Sequence, residues 1–228
     1  MSEFPNVGTL PPGARALVLT VSDGVAAGTR QDESGVALAD RLALAGFRVD
    51  RTSVADERPA IEQALRDGAT EHALIVSTGG TGLTPRDVTP QATQAVIDYE
   101  VPGLAEAMRA AGRASTPMAD LSRGVVGVIG RSLVVNVPGS PKAALESLAA
   151  LEPTLGHALE TLAGPFDHNL QGAETGGVTT AAGAAGVAPP RQPDPPAPAS
   201  SPGDADDEWV PRPDDNDEWR DLPEAKAR

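Results

Sequence analysis

The sequence predicts an α/β fold in three layers, with a mostly parallel sheet, helices on both faces and a β-hairpin at one edge. Three observations favour this fold class. Short β-branched apolar runs such as residues 16–22 lack polar alternation, as fully buried strands do. The segments between such runs carry apolar residues near the 3.6-residue period of a helix. Strands and helices therefore alternate along the chain, which is typical of a parallel sheet covered on both sides.

The first half of the predicted domain has clear start and stop signals. Gly46 and Gly68 each end an amphipathic segment, as glycine commonly does after a helix. Pro59 fits the first turn of the second helix. The segment before it alternates polar and apolar residues, which suits a strand with one exposed face. The predicted elements in order are strand 16–22, helix 34–45, strand 47–54, helix 59–67 and strand 72–78.

In the second half of the predicted domain, the sequence predicts three helices and one β-hairpin. Two apolar strands are joined across Gly130-Arg131, a connection short enough for a hairpin. Ser140-Pro141 supplies a cap and a first-turn proline for the last helix. The predicted elements are helices 90–98 and 102–112, strands 125–129 and 133–137, and a helix from 140 to about 162.

Negative charge and proline are concentrated near the C-terminus. The 228 residues carry 18 Lys and Arg against 32 Asp and Glu, a net charge of −14. Residues 1–164 account for −6, and the shorter segment 165–228 for −8 together with 11 of the 22 prolines. Such a segment buries too little apolar surface to offset the entropy of ordering it. We therefore predict one domain over 14–164, with disordered segments 1–13 and 165–228.

Composition excludes several classes of function. Without cysteine, the chain has no disulfide framework, zinc–thiolate site, iron–sulfur ligation or cysteine nucleophile. The acidic balance argues against nucleic-acid binding, which normally uses a basic face. No apolar run is long enough to span a membrane and the N-terminus lacks a signal-peptide pattern, so we expect no membrane association and a cytoplasmic location. The three histidines follow no metal-ligand spacing.

Polar, glycine-rich segments follow three predicted strands, which is where open α/β sheets bind ligands. They are residues 22–24, 78–82 and 136–139. The middle segment reads Thr-Gly-Gly-Thr-Gly, and its backbone N–H groups can form an anion-binding nest because glycine allows close approach to phosphate. It is neither a Walker A loop nor a GxGxxG motif, and a tight turn after a buried strand is the alternative interpretation.

Two acidic positions are candidates for holding a metal ion. Arg86 and Asp87 follow the glycines directly, and a guanidinium can clamp phosphate while a carboxylate can hold Mg²⁺. The alternative for this pair is a salt-bridged surface loop. Asp56 is a second carboxylate at a strand end. From its surroundings alone, capping the following helix is its more frequent role.

The last polar segment, Asn136-Val-Pro-Gly-Ser-Pro-Lys142, leads into the N-terminus of the final helix, which is a ready anion site. Lys142 is the single lysine of the predicted domain, which suggests a point charge for phosphate. Ser122 and Arg123 add a hydroxyl group and a cation just before the hairpin, which on their own are weak evidence of a site.

Taken in order, these motifs resemble the molybdopterin-binding Mog/MoaB family of molybdenum cofactor biosynthesis. The glycine loop, the Arg-Asp-Val-Thr-Pro run at 86–90 and the segment at 136–142 carry the likeness, which spans 14–164. The resemblance implies an α/β fold, a homotrimer and a pocket for the pterin phosphate. Mog-type members are molybdopterin adenylyltransferases, which use Mg²⁺ and ATP to make adenylyl-molybdopterin and release pyrophosphate. A molybdenum insertase then uses the product.

The resemblance also implies roles for individual residues. The two catalytic aspartates of the family fall on Asp56 and Asp87, which favours Asp56 as more than a cap, and their expected task is to hold Mg²⁺. The expected substrate-binding residues lie at strand ends, in the loop after the glycines and at the start of the last helix: Ser22, Asp23, Thr78, Gly79, Gly80, Thr81, Gly82, Arg86, Ser122, Asn136, Pro138, Gly139 and Lys142.

Two other functions stay open at this point. A MoaB-like protein would bind and carry molybdopterin without adenylating it, a role that needs no pair of aspartates. Alternatively, the domain is a trimeric scaffold, and its acidic tail, with repeats around Trp209 and Trp219, docks on a basic groove of a partner. A solubilising tail is the simpler interpretation of these repeats.

Overall fold

The computed structural model describes residues 7–164, which form a six-stranded sheet between two layers of helices. The strands are β1 Arg15–Val21, β2 Arg48–Val54, β3 Leu74–Thr78, β4 Tyr99–Glu100, β5 Val126–Ile129 and β6 Ser132–Val137. The helices are α1 Asp23–Ala26, α2 Glu33–Leu44, α3 Arg58–Ala69, α4 Thr89–Gln94, α5 Pro102–Arg113 and α6 Pro141–Ala163, with a 3₁₀ turn at Pro117–Leu121. The predicted α/β fold is confirmed.

The sheet has the strand order β2-β1-β3-β6-β5-β4. β1 runs parallel to β2 and β3, and β3 runs parallel to β6, whereas β5 pairs antiparallel with both β6 and β4. The β5–β6 hairpin is as predicted, but β4 adds a strand outside it. The helix predicted over 90–98 stops at Gln94, because the Asp98 and Val101 N–H groups then donate to carbonyls of β5, both at 2.7 Å.

Alternating side chains of the central strands form two cores, one on each face of the sheet. Leu74 and Val76 of β3 belong to the core that includes α2, α5 and α6. Ile75, between them, belongs to the core with α3 and α4. All three side chains are fully buried. Because the parallel strands β1, β3 and β6 are packed on both faces, the segments that leave their carboxyl ends start from fixed positions.

Residues 7–13, which belong to the segment 1–13 predicted as disordered, include two side chains that contact the core. Val7 is 4% exposed, and its carbonyl accepts a hydrogen bond of 2.8 Å from the Gly156 N–H in α6. Leu10 packs against the same core. One buried side chain and one backbone hydrogen bond leave no periodic signal, so the sequence did not reveal this contact.

We expect Gly156→Ala to destabilise the fold by about 1–3 kcal/mol, as overpacking typically does. A Cβ at this position would lie 2.3 Å from the Val7 carbonyl oxygen, so backbone must shift. Urea denaturation followed by circular dichroism measures the change. Gly103→Ala in α5 is the matched control, since a Cβ there meets nothing within 4 Å. Equal stability of Gly156→Ala and the wild type would contradict this packing.

Several expectations fall outside what the structure describes. Residues 1–6 and the predicted disordered tail 165–228, with its two tryptophan repeats, lie outside the described residues. The boundaries of the 14–164 domain stay a prediction. Within residues 7–164, no helix is both long enough and apolar enough to cross a membrane.

Candidate active site

The carboxyl ends of the parallel strands meet at one edge of the sheet, where this kind of fold binds ligands. Ser22 follows β1, Ala55-Asp56 follows β2, Gly79 follows β3 and Pro138 follows β6. The β3 and β6 ends are tied together, since the Thr78 hydroxyl donates to the Pro138 carbonyl at 2.8 Å. The structure therefore brings together segments that are far apart in the sequence.

Gly79 and Gly80 open a tight turn after β3. Their φ angles are +102° and +62°, a region that favours glycine. A Cβ on Gly79 would also lie 2.3 Å from the Val21 carbonyl oxygen, so the turn sits against the end of β1. The Gly79 N–H donates to the Val137 carbonyl at 3.3 Å. Because that donor is used within the fold, the predicted anion nest begins at Gly80.

Two residues outside the turn engage its carbonyl groups. The Thr89 hydroxyl donates to the Gly79 carbonyl at 2.9 Å, and the Thr89 N–H donates to the Gly80 carbonyl at 3.2 Å. The Arg123 N–H donates to the Thr81 carbonyl at 3.0 Å, and its Nε donates to the Gly82 carbonyl at 2.6 Å. Four consecutive carbonyl groups of the loop are thus held by Thr89 and Arg123.

Asp23 and Asp56 are joined by reciprocal hydrogen bonds. The Asp23 N–H donates to Asp56 Oδ2 at 2.9 Å, and the Asp56 N–H donates to Asp23 Oδ1 at 3.0 Å. The other oxygen of Asp23 pairs with the Arg86 guanidinium. The Asp56 N–H and the Arg86 charge hold the pKa of the Asp23 carboxyl below its usual range, against a smaller opposing effect of burial. Asp56 does not cap α3, whose N-cap is Glu57.

Asp87 lies beside the far end of the glycine loop. Its Oδ2 accepts hydrogen bonds from the Thr84 N–H at 2.8 Å and the Thr84 hydroxyl at 2.6 Å. A Cβ on Gly82 would lie 3.0 Å from the same oxygen. Partial burial raises the pKa of Asp87, but the hydrogen bonds from Thr84 and Gly82 and the nearby Arg123 charge outweigh it and hold this pKa below its usual range. Asp87 is therefore ionised at neutral pH.

Thr84→Val removes one donor to Asp87 while keeping the side-chain volume and the backbone N–H. We expect the pKa of Asp87 to rise, which a carbon-13 NMR titration of its carboxyl would measure. The folded pKa lies below the unfolded value of about 3.9, so this carboxylate stabilises the fold above that pH, and the stabilisation is lost as the pH falls through the folded pKa. The Thr84→Val variant should lose part of this stabilisation of the fold.

The control for that titration is Thr161→Val, whose hydroxyl donates to a carbonyl of its own helix. An Asp87 titration curve that is the same in Thr84→Val and the wild type would contradict the assignment of the hydroxyl hydrogen bond.

Two cavities flank the glycine loop. The polar cavity has a volume of about 340 Å³, and the apolar cavity has a volume of about 280 Å³. The predicted site residues that line the polar cavity are Ser22, Asp56, Thr78, Gly79, Gly80 and Gly139. Those that line the apolar cavity are Thr81, Gly82, Ser122, Asn136 and Pro138. The loop thus passes from one cavity to the other between Gly80 and Thr81.

The side-chain polar atoms of Asn136 are hydrogen-bonded within the protein. It is fully buried, and its amide donates to the Ser77 hydroxyl at 2.8 Å and to the Thr93 hydroxyl at 2.9 Å. Its Oδ1 accepts from the Val125 N–H at 3.2 Å. These bonds join β6 to β3, α4 and the start of β5, so direct contact with a ligand stays a prediction for this residue.

The structure does not bring Lys142 into either cavity. Its side chain is 79% exposed and pairs with Glu146 one turn later in α6, at 3.8 Å. A lysine at a helix start can extend in many directions, and here a neighbouring carboxylate on the same helix face attracts it. Asp23, Arg86 and Asp87 also lie outside both linings, but their contacts place them beside the glycine loop.

Sequence reasoning missed several groups at the site. Asp32 lines the polar cavity and caps α2 by accepting from the Gly35 N–H at 2.9 Å, and the Thr20 hydroxyl donates to it at 3.0 Å. Arg30 lines the same cavity. The residues before α2 carry an N-cap signal that could have identified Asp32. No local signal predicts that Arg123 holds backbone carbonyls.

The donor set at this edge of the sheet fits a magnesium ion. Among residues 7–164, no group of three or more His, Cys, Asp or Glu side chains is arranged to hold a metal. Instead, Asp56 Oδ1 lies 3.6 Å from where a Cβ of Gly80 would be, and Asp87 lies beside Gly82. Two carboxylates next to the predicted anion nest suit Mg²⁺, which is commonly held by one or two carboxylates together with substrate phosphates.

Comparison with known proteins gives consistent matches. Residues 17–157 match the family model described as a probable molybdopterin binding domain. A bifunctional molybdenum cofactor biosynthesis protein of Synechococcus elongatus is 43% identical over 162 residues, which are 70% of this chain and 51% of that protein. The chain therefore spans about half the length of this relative.

Two further matches cover most of the proteins concerned. A molybdopterin adenylyltransferase of Haemophilus influenzae is 39% identical over 148 residues, which are 62% of this chain and 75% of that protein. The crystal structure of the molybdopterin biosynthesis enzyme MoaB from Thermus thermophilus is 52% identical in sequence. It covers 65% of this chain and 96% of its own, with a TM-score of 0.60.

Proposed function

This chain belongs to the family of the probable molybdopterin binding domain, and from that premise we propose that it is a molybdopterin adenylyltransferase. It transfers AMP from Mg-ATP to the terminal phosphate of molybdopterin, a step of molybdenum cofactor biosynthesis. A phosphate oxygen of molybdopterin attacks the α-phosphorus of ATP and forms a new P–O bond. The bond from this phosphorus to the bridging oxygen breaks, and pyrophosphate leaves with that electron pair.

The observation that carries this function is the position of two carboxylates along one loop. Asp56 lies beside Gly80 and Asp87 beside Gly82, where the loop passes from the polar to the apolar cavity. Two polyanionic substrates meet here in an acidic protein, so uncompensated repulsion would oppose the reaction. Both carboxylates would hold Mg²⁺, and the positive charge it supplies would offset that of the phosphates and the leaving pyrophosphate.

The glycine loop supports phosphate binding through the direction of its peptide groups. In a trans peptide, the C=O and the N–H of one plane point in opposite directions. The carbonyls of residues 79–82 are engaged by Thr89 and Arg123, so the N–H groups of residues 80–83 point away from those partners. The Gly82 N–H donates to the Asp87 carboxylate, so Gly80 and Thr81 supply the consecutive N–H groups for an anion. Arg86 is the nearby cation for a further phosphate contact.

The two cavities suit the two parts of the substrates. The polar cavity would take phosphate groups, since hydroxyl groups, glycine backbone groups and the Arg30 guanidinium line it. The apolar cavity, lined by side chains such as Met108, Met118 and Leu121, would take a flat ring. A ring on one side of the loop and phosphates on the other place the reacting phosphorus at the loop itself, close to both carboxylates.

Direct assay tests this function. The full chain is incubated with molybdopterin and Mg-ATP, and adenylyl-molybdopterin and pyrophosphate are quantified together. We expect both products in equal amounts, and neither when EDTA removes the magnesium. Molybdopterin binding without either product would overturn the proposed activity and support the MoaB-like carrier.

The remaining features of the function are also proposals. We assign the activity to residues 14–164 and propose a homotrimer, which light scattering after gel filtration would detect as three times the chain mass. A cytoplasmic location and transfer of the product to a molybdenum insertase complete the proposal. The adenylyltransferase and bifunctional relatives named above support the assignment of the activity, and the homotrimer, the location and the insertase partner rest on the family resemblance of the sequence.

A further inference from the structure

Asp23 contacts both segments that carry the proposed metal-holding carboxylates. Its N–H and its Oδ1 form the reciprocal hydrogen bonds with Asp56, and its other carboxylate oxygen pairs with Arg86. Arg86 directly precedes Asp87 in the chain. Both oxygens of Asp23 are therefore used within the protein, and the residue lines neither cavity.

We propose that Asp23 is a positioning residue that fixes the spacing between Asp56 and Asp87. Its backbone N–H donates to the Asp56 carboxylate at 2.9 Å, its Oδ1 accepts from the Asp56 N–H at 3.0 Å, and its other oxygen acts on the Asp87 segment through the Arg86 ion pair. This inference rests on the proposed function for its metal-dependent reaction. It differs from the expectation of the sequence analysis, which placed Asp23 among the substrate-binding residues.

The surrounding structure explains why such a tie is needed. Asp56 leaves the end of β2, an edge strand of the sheet, and the residues around Asp87 form an irregular loop in which Leu83 to Arg86 are exposed. Arg123 anchors the loop at the Asp87 carbonyl, but that contact holds the backbone and does not reach Asp56. Asp23 is the described residue that connects both sides.

The size of the effect follows from the geometry that catalysis requires. Residues that orient metal ligands typically change metal affinity or activity about 10–100-fold when they are removed. A misplacement of about 1 Å far from the reacting atoms can cost a similar factor. Loss of Asp23 should therefore lower kcat rather than weaken the binding of molybdopterin.

Two variants of Asp23 distinguish its contact with Arg86 from its contact with Asp56. Asp23→Asn keeps an oxygen that can accept from the Asp56 N–H but loses the charge that holds Arg86, so we expect about a 10-fold lower kcat. Asp23→Ala loses the Arg86 ion pair and the hydrogen bond from the Asp56 N–H, and keeps only the bond from its own backbone N–H to Asp56 Oδ2. We therefore expect about a 100-fold lower kcat, with KM for molybdopterin unchanged in both variants. Glu71→Gln is the matched control, because it also removes a carboxylate from an exposed arginine pair, here with Arg15 at the opposite end of the sheet.

A second readout does not depend on turnover. Binding of Mn²⁺ to the full chain in the presence of pyrophosphate is measured by electron paramagnetic resonance for each variant. We expect the apparent Kd for Mn²⁺ to rise about 10-fold in Asp23→Asn and further in Asp23→Ala. Thermal unfolding identifies a variant that fails to fold. If Asp23→Ala does not fold, the kcat and the Mn²⁺ affinity of Asp23→Asn alone test the positioning role.

The outcomes distinguish this inference from the proposed function. Wild-type kcat and wild-type Mn²⁺ binding in Asp23→Ala would overturn the positioning role. A raised KM with unchanged kcat would also overturn it, since that result assigns Asp23 to substrate contact. If the wild type forms no adenylyl-molybdopterin, the proposed function fails, and the Mn²⁺ measurements still test whether Asp23 organises the two carboxylates.

Discussion

Asp87→Asn is expected to lower the rate of adenylyl transfer about 10²-fold or more while molybdopterin binding survives, as the loss of a single electrostatic contributor typically does. The amide keeps an oxygen that can accept from Thr84, so the loop keeps its local hydrogen bonds. What the variant loses is a negative charge beside Gly82, where the structure places the Asp87 carboxylate. Single-turnover kinetics with a saturating concentration of Mg-ATP measures the effect on the chemical step.

The control for this experiment is Asp40→Asn, which removes an equal charge from an exposed position of α2. Its rate should equal that of the wild type. If Asp87→Asn adenylates at the normal rate, Asp87 does not hold the metal. A variant that instead loses molybdopterin binding would move Asp87 to the pterin subsite.

Glu152→Ala is expected to lower the free energy of unfolding by about 3 kcal/mol. Glu152 in α6 forms two parallel hydrogen bonds with Arg41 of α2, at 2.6 and 2.7 Å. The Glu152 side chain is 7% exposed and that of Arg41 is 22% exposed, so solvent screens this pair poorly. Removing the carboxylate takes both of these hydrogen bonds from a guanidinium that is largely buried. Urea denaturation measures the loss.

A surface pair supplies the comparison for this stability effect. Asp120→Ala breaks the ion pair with Arg113, in which both side chains are about half exposed, and should cost less than about 1 kcal/mol. Glu152→Gln should fall between the two variants, since it keeps one oxygen as an acceptor. A loss below 1 kcal/mol for Glu152→Ala would mean that the α2–α6 contact depends on packing alone.

The buried strands could be predicted from the sequence because burial on both faces leaves an unbroken apolar run. β1 and β3 required no knowledge of their neighbours. β4 could not be predicted, since Tyr99 and Glu100 are exposed and adopt a strand through hydrogen bonds with β5. The docking of Val7 on Gly156 escaped prediction for the same reason, because it depends on a partner far along the chain.

Some residues of the candidate site could also be predicted from the sequence, and others could not. The family resemblance predicts Asp56 and Asp87 as metal-holding residues, and the structure brings both to the glycine loop. Arg123 was noted only as a cation, and its contacts could not be predicted, because its partners are backbone carbonyls, which every residue type offers. The predicted phosphate contact of Lys142 stays a prediction, since its side chain is exposed and pairs with Glu146.

The hold of Thr89 and Arg123 on four successive loop carbonyls has an energetic consequence. In water, dipoles must turn toward a phosphate as it arrives, and that reorganisation opposes binding and reaction. Here the peptide dipoles of the loop are already oriented when the chain has folded. Preorganised dipoles need no rearrangement at the moment of reaction, which is the main source of electrostatic catalysis in many enzymes. In the proposed reaction, folding itself therefore supplies part of the stabilisation that the transferred phosphate receives.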